Sequence, residues 1–378
     1  MAIETSPQPS NHAPLLSRII SHLRPKSKAQ TQNFPIDPRP PLRPSSLPLV
    51  LSKHTPNLAL QGWATVSFPV PSSECPSQHP LQQGFENLFE SSKTFFDQPI
   101  EEKENWKTKL GSEEGWSRIE GEKEFITIRT VEGTPEILRD AAKQCWAAAG
   151  DLMDGMLGRV SESLEMDVGE GEGGLRRFVG PCKRLGETKE DKTQTMLRLF
   201  RYEGEEAKIV AEPHSDLGLL SMVMGATPGL EVWDIPSRSW FPIEKTYQQP
   251  SASLLVGRQL ERLSNFRYRA GGHQVRSYGV PPSPSPPSQP SGQKDPKYRY
   301  SIVFVLRAHD QVTIDTDNLT TSITGDFQTP IKGITAGQMF EQIKSSHFNI
   351  NTNVEERDKQ KKKVAGIKQR AVPAKGSG

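Results

Sequence analysis

From Thr195 onward the chain reads as a succession of short strands, and no other feature narrows its fold as far. Met196, Arg198, Phe200 and Tyr202 alternate with Leu197, Leu199 and Arg201, so a strand here presents two different faces. Residues 230–234 (Leu-Glu-Val-Trp-Asp) and 239–243 (Ser-Trp-Phe-Pro-Ile) flank the turn text Ile-Pro-Ser-Arg at 235–238, the pattern of a hairpin. Residues 253–256 form a short apolar strand ending at Gly257, another strand begins at His273, and 298–306 is strongly apolar. Many short antiparallel strands predict a jelly roll.

Within this run, residues 211–220 read Ala-Glu-Pro-His-Ser-Asp-Leu-Gly-Leu-Leu. His214 and Asp216 are two residues apart, and on an extended strand such residues share a face. An imidazole nitrogen and a carboxylate oxygen then reach the same point in space. His273 would be the third member. Two His and one carboxylate on one side of a metal, the other side open, is the facial triad of non-haem Fe(II) oxygenases. His-x-Asp alone recurs by chance, and a lone His is more often a core or surface residue. A second pair gives it weight: Arg299 and Ser301 share one face of the 298–306 strand, and a guanidinium beside a hydroxyl makes a clamp for a carboxylate.

The ordered text 197–202 (Leu-Arg-Leu-Phe-Arg-Tyr), 212–220, 228–234 (Pro-Gly-Leu-Glu-Val-Trp-Asp), 257–264 (Gly-Arg-Gln-Leu-Glu-Arg-Leu-Ser), 268–275 and Arg299-Tyr300-Ser301 resembles the 2-oxoglutarate/Fe(II)-dependent dioxygenases of the isopenicillin N synthase-like group, particularly their fungal members. The resemblance runs from about residue 47 to residue 347. It implies a double-stranded β-helix with a metal at its open mouth, mainly β with flanking α, braced by N-terminal helices. It implies Fe(II) on His214, Asp216 and His273, with 2-oxoglutarate and O₂ as cosubstrates. Arg299 would hold the distal carboxylate of 2-oxoglutarate bidentately, Ser301 would donate to the same group, and Tyr202 aligns with a cosubstrate-contacting Tyr. The implied reaction couples oxidative decarboxylation of 2-oxoglutarate to C–H oxidation of a small molecule, by hydroxylation, desaturation or cyclisation, as in secondary metabolism. A 2-oxoglutarate-independent iron oxidase and a non-catalytic ligand-binding relative share the fold and stay open. Arg258, Phe266, Gln274 and Phe200 depart from the family pattern; Phe200 stands where a polar Asn is usual.

The remaining text divides the chain. Residues 1–45 are Pro/Ser-rich and read as a disordered arm with a short helix around 15–23. Residues 46–190 form an N-terminal helical and strand region. In it, 62–68 reads as a strand, and 81–96 as a helix with its stripe at Phe85, Leu88, Phe89, Ser92, Phe95 and Phe96. A hydroxyl N-cap at Thr134 followed by Pro135 opens a long helix whose stripe runs Leu138, Ala141, Cys145, Ala149, Leu152, Met156, Val160, Leu164. The glycine-rich 170–174 lacks the Lys-Ser/Thr of a phosphate loop and reads as a turn. The catalytic core spans 191–310, with a Pro/Ser loop at 280–297. A C-terminal helix region covers 311–350, and 351–378 is a basic tail read as disordered and solvated.

The net charge of +2 over 378 residues offers no field for nucleic acid or a membrane surface. Three cysteines, Cys75, Cys145 and Cys182, with no Cys-x-x-Cys, argue for a reducing compartment. No apolar run nears the roughly 18 residues that span a bilayer, and residues 1–7 lack a signal-peptide profile. A cytoplasmic protein is expected. Met222, Met224, Phe200 and residues near Trp116 are the expected pocket walls, which implies a largely apolar small-molecule substrate. His12, His22, His54, His79, His309 and His347 read as inert surface or loop residues, with His309 nearest the pocket entrance.

Overall fold

The alternating text becomes two antiparallel sheets in the structure, a computed structural model that describes residues 37–71, 77–169, 173–279 and 297–370. In chain order the strands of these two sheets are β1 (Trp63–Ser67), β2 (Gly115–Ile119), β3 (Lys123–Ile128), β4 (Met196–Glu203), β5 (Ala207–His214), β6 (Leu220–Gly225), β7 (Leu230–Asp234), β8 (Ser239–Phe241), β9 (Ser251–Val256), β10 (His273–Tyr278) and β11 (Tyr298–Leu306), and Thr313–Asp315 pairs with Lys332–Thr335 in a separate small sheet. Seven of them form one sheet in the order β1-β9-β6-β11-β4-β3-β2, and four form the second in the order β5-β10-β7-β8. Every pairing within these two sheets is antiparallel. This mainly antiparallel arrangement is consistent with a jelly-roll core.

Each face of the large sheet has its own apolar cluster, which is why β4 alternates. Leu197 and Leu199 join the cluster shared with helices α1 (Pro80–Phe96) and α2 (Glu136–Ser163), where Phe85, Cys145, Trp146 and Phe304 are fully buried. Trp146 meets Phe304 edge-on at 5.2 Å between centroids. Phe200 and Tyr202 point the other way, into the space between the sheets with Phe125, Val210, Val232 and Val275. β11 lies between β6 and β4 and is covered on both faces, so it reads as a continuous apolar run. Each large side chain buried here contributes about 1.5–3 kcal/mol.

Several sequence expectations need correction. Thr134 does not cap α2: its hydroxyl donates to the Thr130 carbonyl at 2.5 Å, and Pro135 occupies the cap position. The end of the supposed disordered arm is ordered. Arg39 Nη1 donates to the Asn265 and Thr324 carbonyls at 2.9 and 2.7 Å, and Arg43 N donates to Ser163 O at 2.9 Å. The basic tail is not a solvated coil through residue 370. After helix α3 (Ala336–Ser345), opened by a Thr335/Gln338 capping box, the chain forms helix α4 (Val354–Arg370). Arg357 on α4 is 2% exposed and pairs with Glu122 and, at 3.4 Å, with Glu212; Lys361 reaches Glu212 at 2.5 Å. These ion pairs anchor a helix that has no apolar stripe.

The expectations for residues 1–36, for Cys75, for 170–172, for the Pro/Ser loop at 280–296 and for 371–378 fall outside the described residues. Cys145 and Cys182 are buried and free, and burial pushes their thiols up to about 12 and about 11. Among the described residues, no helix is long and apolar enough to cross a membrane.

Candidate functional site

His214 is the last residue of β5 and His273 the first of β10, and the two face each other as register partners. Their rings lie 4.1 Å apart. Asp216 is not on the strand. It sits in the loop beyond β5, so a turn rather than a shared strand face brings it to the histidines. That loop is held from behind: Arg258 N donates to Asp216 O and Gln259 N to Gly218 O, both at 2.9 Å. A Cβ on Gly257 would overlap the Gly218 carbonyl, so this close approach requires glycine.

The imidazoles are fixed in one tautomer. His214 Nδ1 donates to Glu212 O at 2.7 Å, and His273 Nδ1 donates to Gly271 O at 3.1 Å. A neutral imidazole held this way carries its lone pair on Nε2. Both Nε2 atoms lie 3.9 Å from an Asp216 carboxylate oxygen, too far for a hydrogen bond. Candidate ligand atoms of the three residues lie within 4.8 Å of one another. Burial, with His273 beside it, holds the His214 imidazole down at about 3, so it is neutral at pH 7. Burial pushes the Asp216 carboxyl up, but the neighbouring histidines outweigh it and the net shift is downward. Asp216 Oδ2 is buried without a hydrogen-bond partner. Two lone pairs and an orphaned carboxylate oxygen are a donor set that fits a divalent cation.

Arg299 and Ser301 sit on β11, opposite Tyr202 and Phe200 of β4. Arg299 is 3% exposed and already committed. Nε donates to Thr227 O at 3.0 Å, and Nη2 donates to both Glu244 oxygens at 3.1 and 2.9 Å. Only Nη1 has no partner, so the bidentate grip expected from the sequence is reduced to one free nitrogen. Ser301 Oγ is likewise buried, with the Tyr202 hydroxyl as its polar neighbour among the described residues. Burial pushes the Tyr202 hydroxyl up to about 12, and Phe200 stacks on the Tyr202 ring at 5.0 Å. The sequence reading missed Glu244, which also accepts from Gly229 N and Leu230 N at 2.7 Å. Gly225 and Gly229 are its only local signal: a Cβ on either would collide with Arg299.

A cavity of about 900 Å³ is lined by His214, Asp216, His273, Ser301, Tyr202 and Phe200; Arg299 is not among its lining residues. Of the expected walls Phe200 lines it, whereas Met222 and Met224 do not; Met222 is packed in the helix-side cluster, and Met224 packs against that cluster. Arg198, Arg307 and Glu113 line it instead, beside Val223, Leu230 and Val303. His347, read as inert, is at the cavity, whereas His309 is not among its lining residues and its amide donates to Phe178 O at 2.7 Å.

No protein-family model and no curated protein matches this chain. Solved structures do. JOX2 in complex with 2OG, Fe and JA superposes with a TM-score of 0.56 at 15% identity, covering 85% of this chain and 92% of that one. A full-length Neurospora crassa protein in complex with alpha-KG and thymine gives 0.53 at 17% identity, covering 76% and 88%. The rice dioxygenase for auxin oxidation gives 0.50 at 18%, covering 75% and 90%. The likeness is one of fold, shared with oxygenases crystallised with iron or 2-oxoglutarate.

Proposed function

We propose that this chain is a non-haem Fe(II) oxygenase on a double-stranded β-helix of the isopenicillin N synthase-like type. In this reading His214, Asp216 and His273 hold the iron, and oxidative decarboxylation of 2-oxoglutarate is coupled to C–H oxidation of a small molecule. The observation that carries it is the donor set. Two Nε2 lone pairs converge with Asp216 Oδ2, which is buried and within hydrogen-bond distance of no donor among the described residues.

Bound iron supplies the redox chemistry and the open positions for cosubstrates. The chain's own residues bind, orient and exclude water. The Nδ1–H bonds to Glu212 O and Gly271 O lock each ring with Nε2 inward. Arg299 Nη1 and Ser301 Oγ are the two buried donors left for the distal carboxylate of 2-oxoglutarate, with the Tyr202 ring beneath the guanidinium at 5.6 Å. Phe200, opposite Ser301 on the ladder, shields that end of the cavity from water. One observation favours a second reading, the same iron site working without 2-oxoglutarate: Glu244 already neutralises Arg299 at 2.9 Å.

The metal assignment is tested with Co(II), whose visible bands report its ligand field. One Co(II) per chain is expected for the wild type, with affinity at least roughly a hundredfold lower in Asp216→Ala, since a first-sphere ligand should cost no less than the 10–100-fold of a supporting one. Equal affinity in the two proteins would refute the triad.

A further inference from the structure

We propose that the primary substrate of this site is a small-molecule carboxylate, held by the Arg198 guanidinium with Arg307 alongside. The inference rests on reading the cavity as an oxygenase active site and adds to it the chemical class of the substrate.

Arg198 lies on the β4 face that carries Phe200 and Tyr202, and all three line the cavity. Its Nε donates to Thr127 Oγ1 at 2.7 Å, which fixes the side chain and leaves the two terminal nitrogens presented as a fork. Among the described residues no carboxylate lies within 4 Å of that fork and no acceptor bonds to it; the nearest aromatic partner is the Phe125 ring, 5.4 Å away. Burial depresses the basicity of Arg198, with Arg307 adding repulsion and Glu113 and Asp216 opposing it. A half-buried guanidinium whose terminal nitrogens bond to no acceptor is open to an anionic ligand.

The neighbouring charges do not supply the missing anion. Glu113 is spent on Arg307, which donates to it at 2.6 Å from Nη1 and at 3.4 Å from Nη2. Arg307 Nε remains buried and unpartnered. Arg129, the other cation of this group, is turned onto the Thr193 carbonyl. Asp216 is the second carboxylate here, and it faces the two histidines rather than bonding to the Arg198 fork. Lys344, Lys359 and Lys363 at the cavity rim add positive charge, against Glu356.

The cosubstrate cannot be the missing anion as well. Tyr202 pairs with Arg299 across the ladder and Phe200 with Ser301, whereas Arg198 pairs with Val303. Arg198 is four residues from the Arg299 level, roughly 13 Å along the strand. One planar fork, with Val303 and Val223 next to it across the ladder, suits a carboxylate on a hydrocarbon body. A phosphate would ask for more donors than this end provides.

The test is ligand-observed NMR on metal-free protein, with a broad panel of aliphatic and aromatic monocarboxylic acids, each paired with its primary amide. Wild type is expected to bind members of the panel more than tenfold tighter as the acid. Arg198→Gln is expected to lose that preference, roughly tenfold or more for a charge-assisted pair, and Arg198→Lys to keep part of it. The Fe(II)–2-oxoglutarate absorption band is recorded separately on the same proteins and is expected to survive in both variants. The proposal is overturned if no acid outbinds its amide in the wild type, if Arg198→Gln keeps the preference, or if that variant loses the band, which would assign Arg198 to the cosubstrate. Absence of the band in wild type counts against the oxygenase reading alone, because the panel is read without metal.

Discussion

Lys123 shows how much the surroundings of one residue can be worth. It is 1% exposed, its ammonium donates to Ile350 O at 3.2 Å, and it lies 5.9 Å from the Phe200 ring centroid. Burial lowers its pKa from 10.5 to about 7, with nearby Glu122 opposing the shift. Between those two values the unfolded chain binds more protons than the folded one, so stability rises with pH across that window; below about 7 both states are protonated and the slope vanishes. Denaturant unfolding at pH 7 and pH 9 should therefore show a rise in the wild type that shrinks in Lys123→Met, by up to about 2 kcal/mol. An identical rise in both proteins would mean that Lys123 titrates normally. The same scale separates what the sequence reveals from what it hides. That His214, Asp216 and His273 meet was legible from their types and order, and so was the shared strand of Arg299 and Ser301. Glu244 and Lys123 were not, since the role of a buried charge depends on which distant group meets it.

At the scale of elements, α4 is the least legible part of the chain and the most informative. Helices 80–96 and 136–163 announce themselves through apolar residues at threes and fours. The 354–370 segment carries charges with no such stripe, and charge runs usually stay solvated. Its anchors are ionic and far away in sequence: Glu122 at the head of β3 and Glu212 on β5, two residues before a proposed metal ligand. Glu356, Lys359, Gln360 and Lys363 of this helix line the cavity, so α4 forms one of its walls. Removing one partner of a buried pair costs about 3–5 kcal/mol. In Arg357→Met, hydrogen exchange at 354–366 should speed up at least tenfold while the sheets keep their protection. Unchanged exchange in the helix would show that it is held by something other than these pairs. Asp216 adds a smaller lesson: two-residue spacing placed it correctly beside His214, although the strand ends first and the turn makes the contact.

On the scale of the whole molecule, the antiparallel fold was legible because alternation, turn residues and short strand lengths are local signals. The assignment of strands to a sheet of seven and a sheet of four was not, since β2 and β3 join the large sheet across long stretches of chain. That partition creates the cavity: the large sheet supplies Tyr202, Ser301 and Arg198, and the small one supplies His214 and His273. Of the apolar walls expected, Phe200 lines the cavity, whereas Met222 and Met224 belong to the helix-side core, and Arg198 and Arg307 bring positive charge to it. The account as a whole depends on one event between the sheets, a keto-acid chelating iron at His214, Asp216 and His273. Anaerobic absorption spectroscopy reads it directly, by adding Fe(II) and then 2-oxoglutarate to the metal-free protein and to His214→Ala. A visible charge-transfer band in the wild type, absent from the variant, is the expected result. Iron binding without a band would contradict the use of 2-oxoglutarate, and no iron binding at all would contradict the oxygenase.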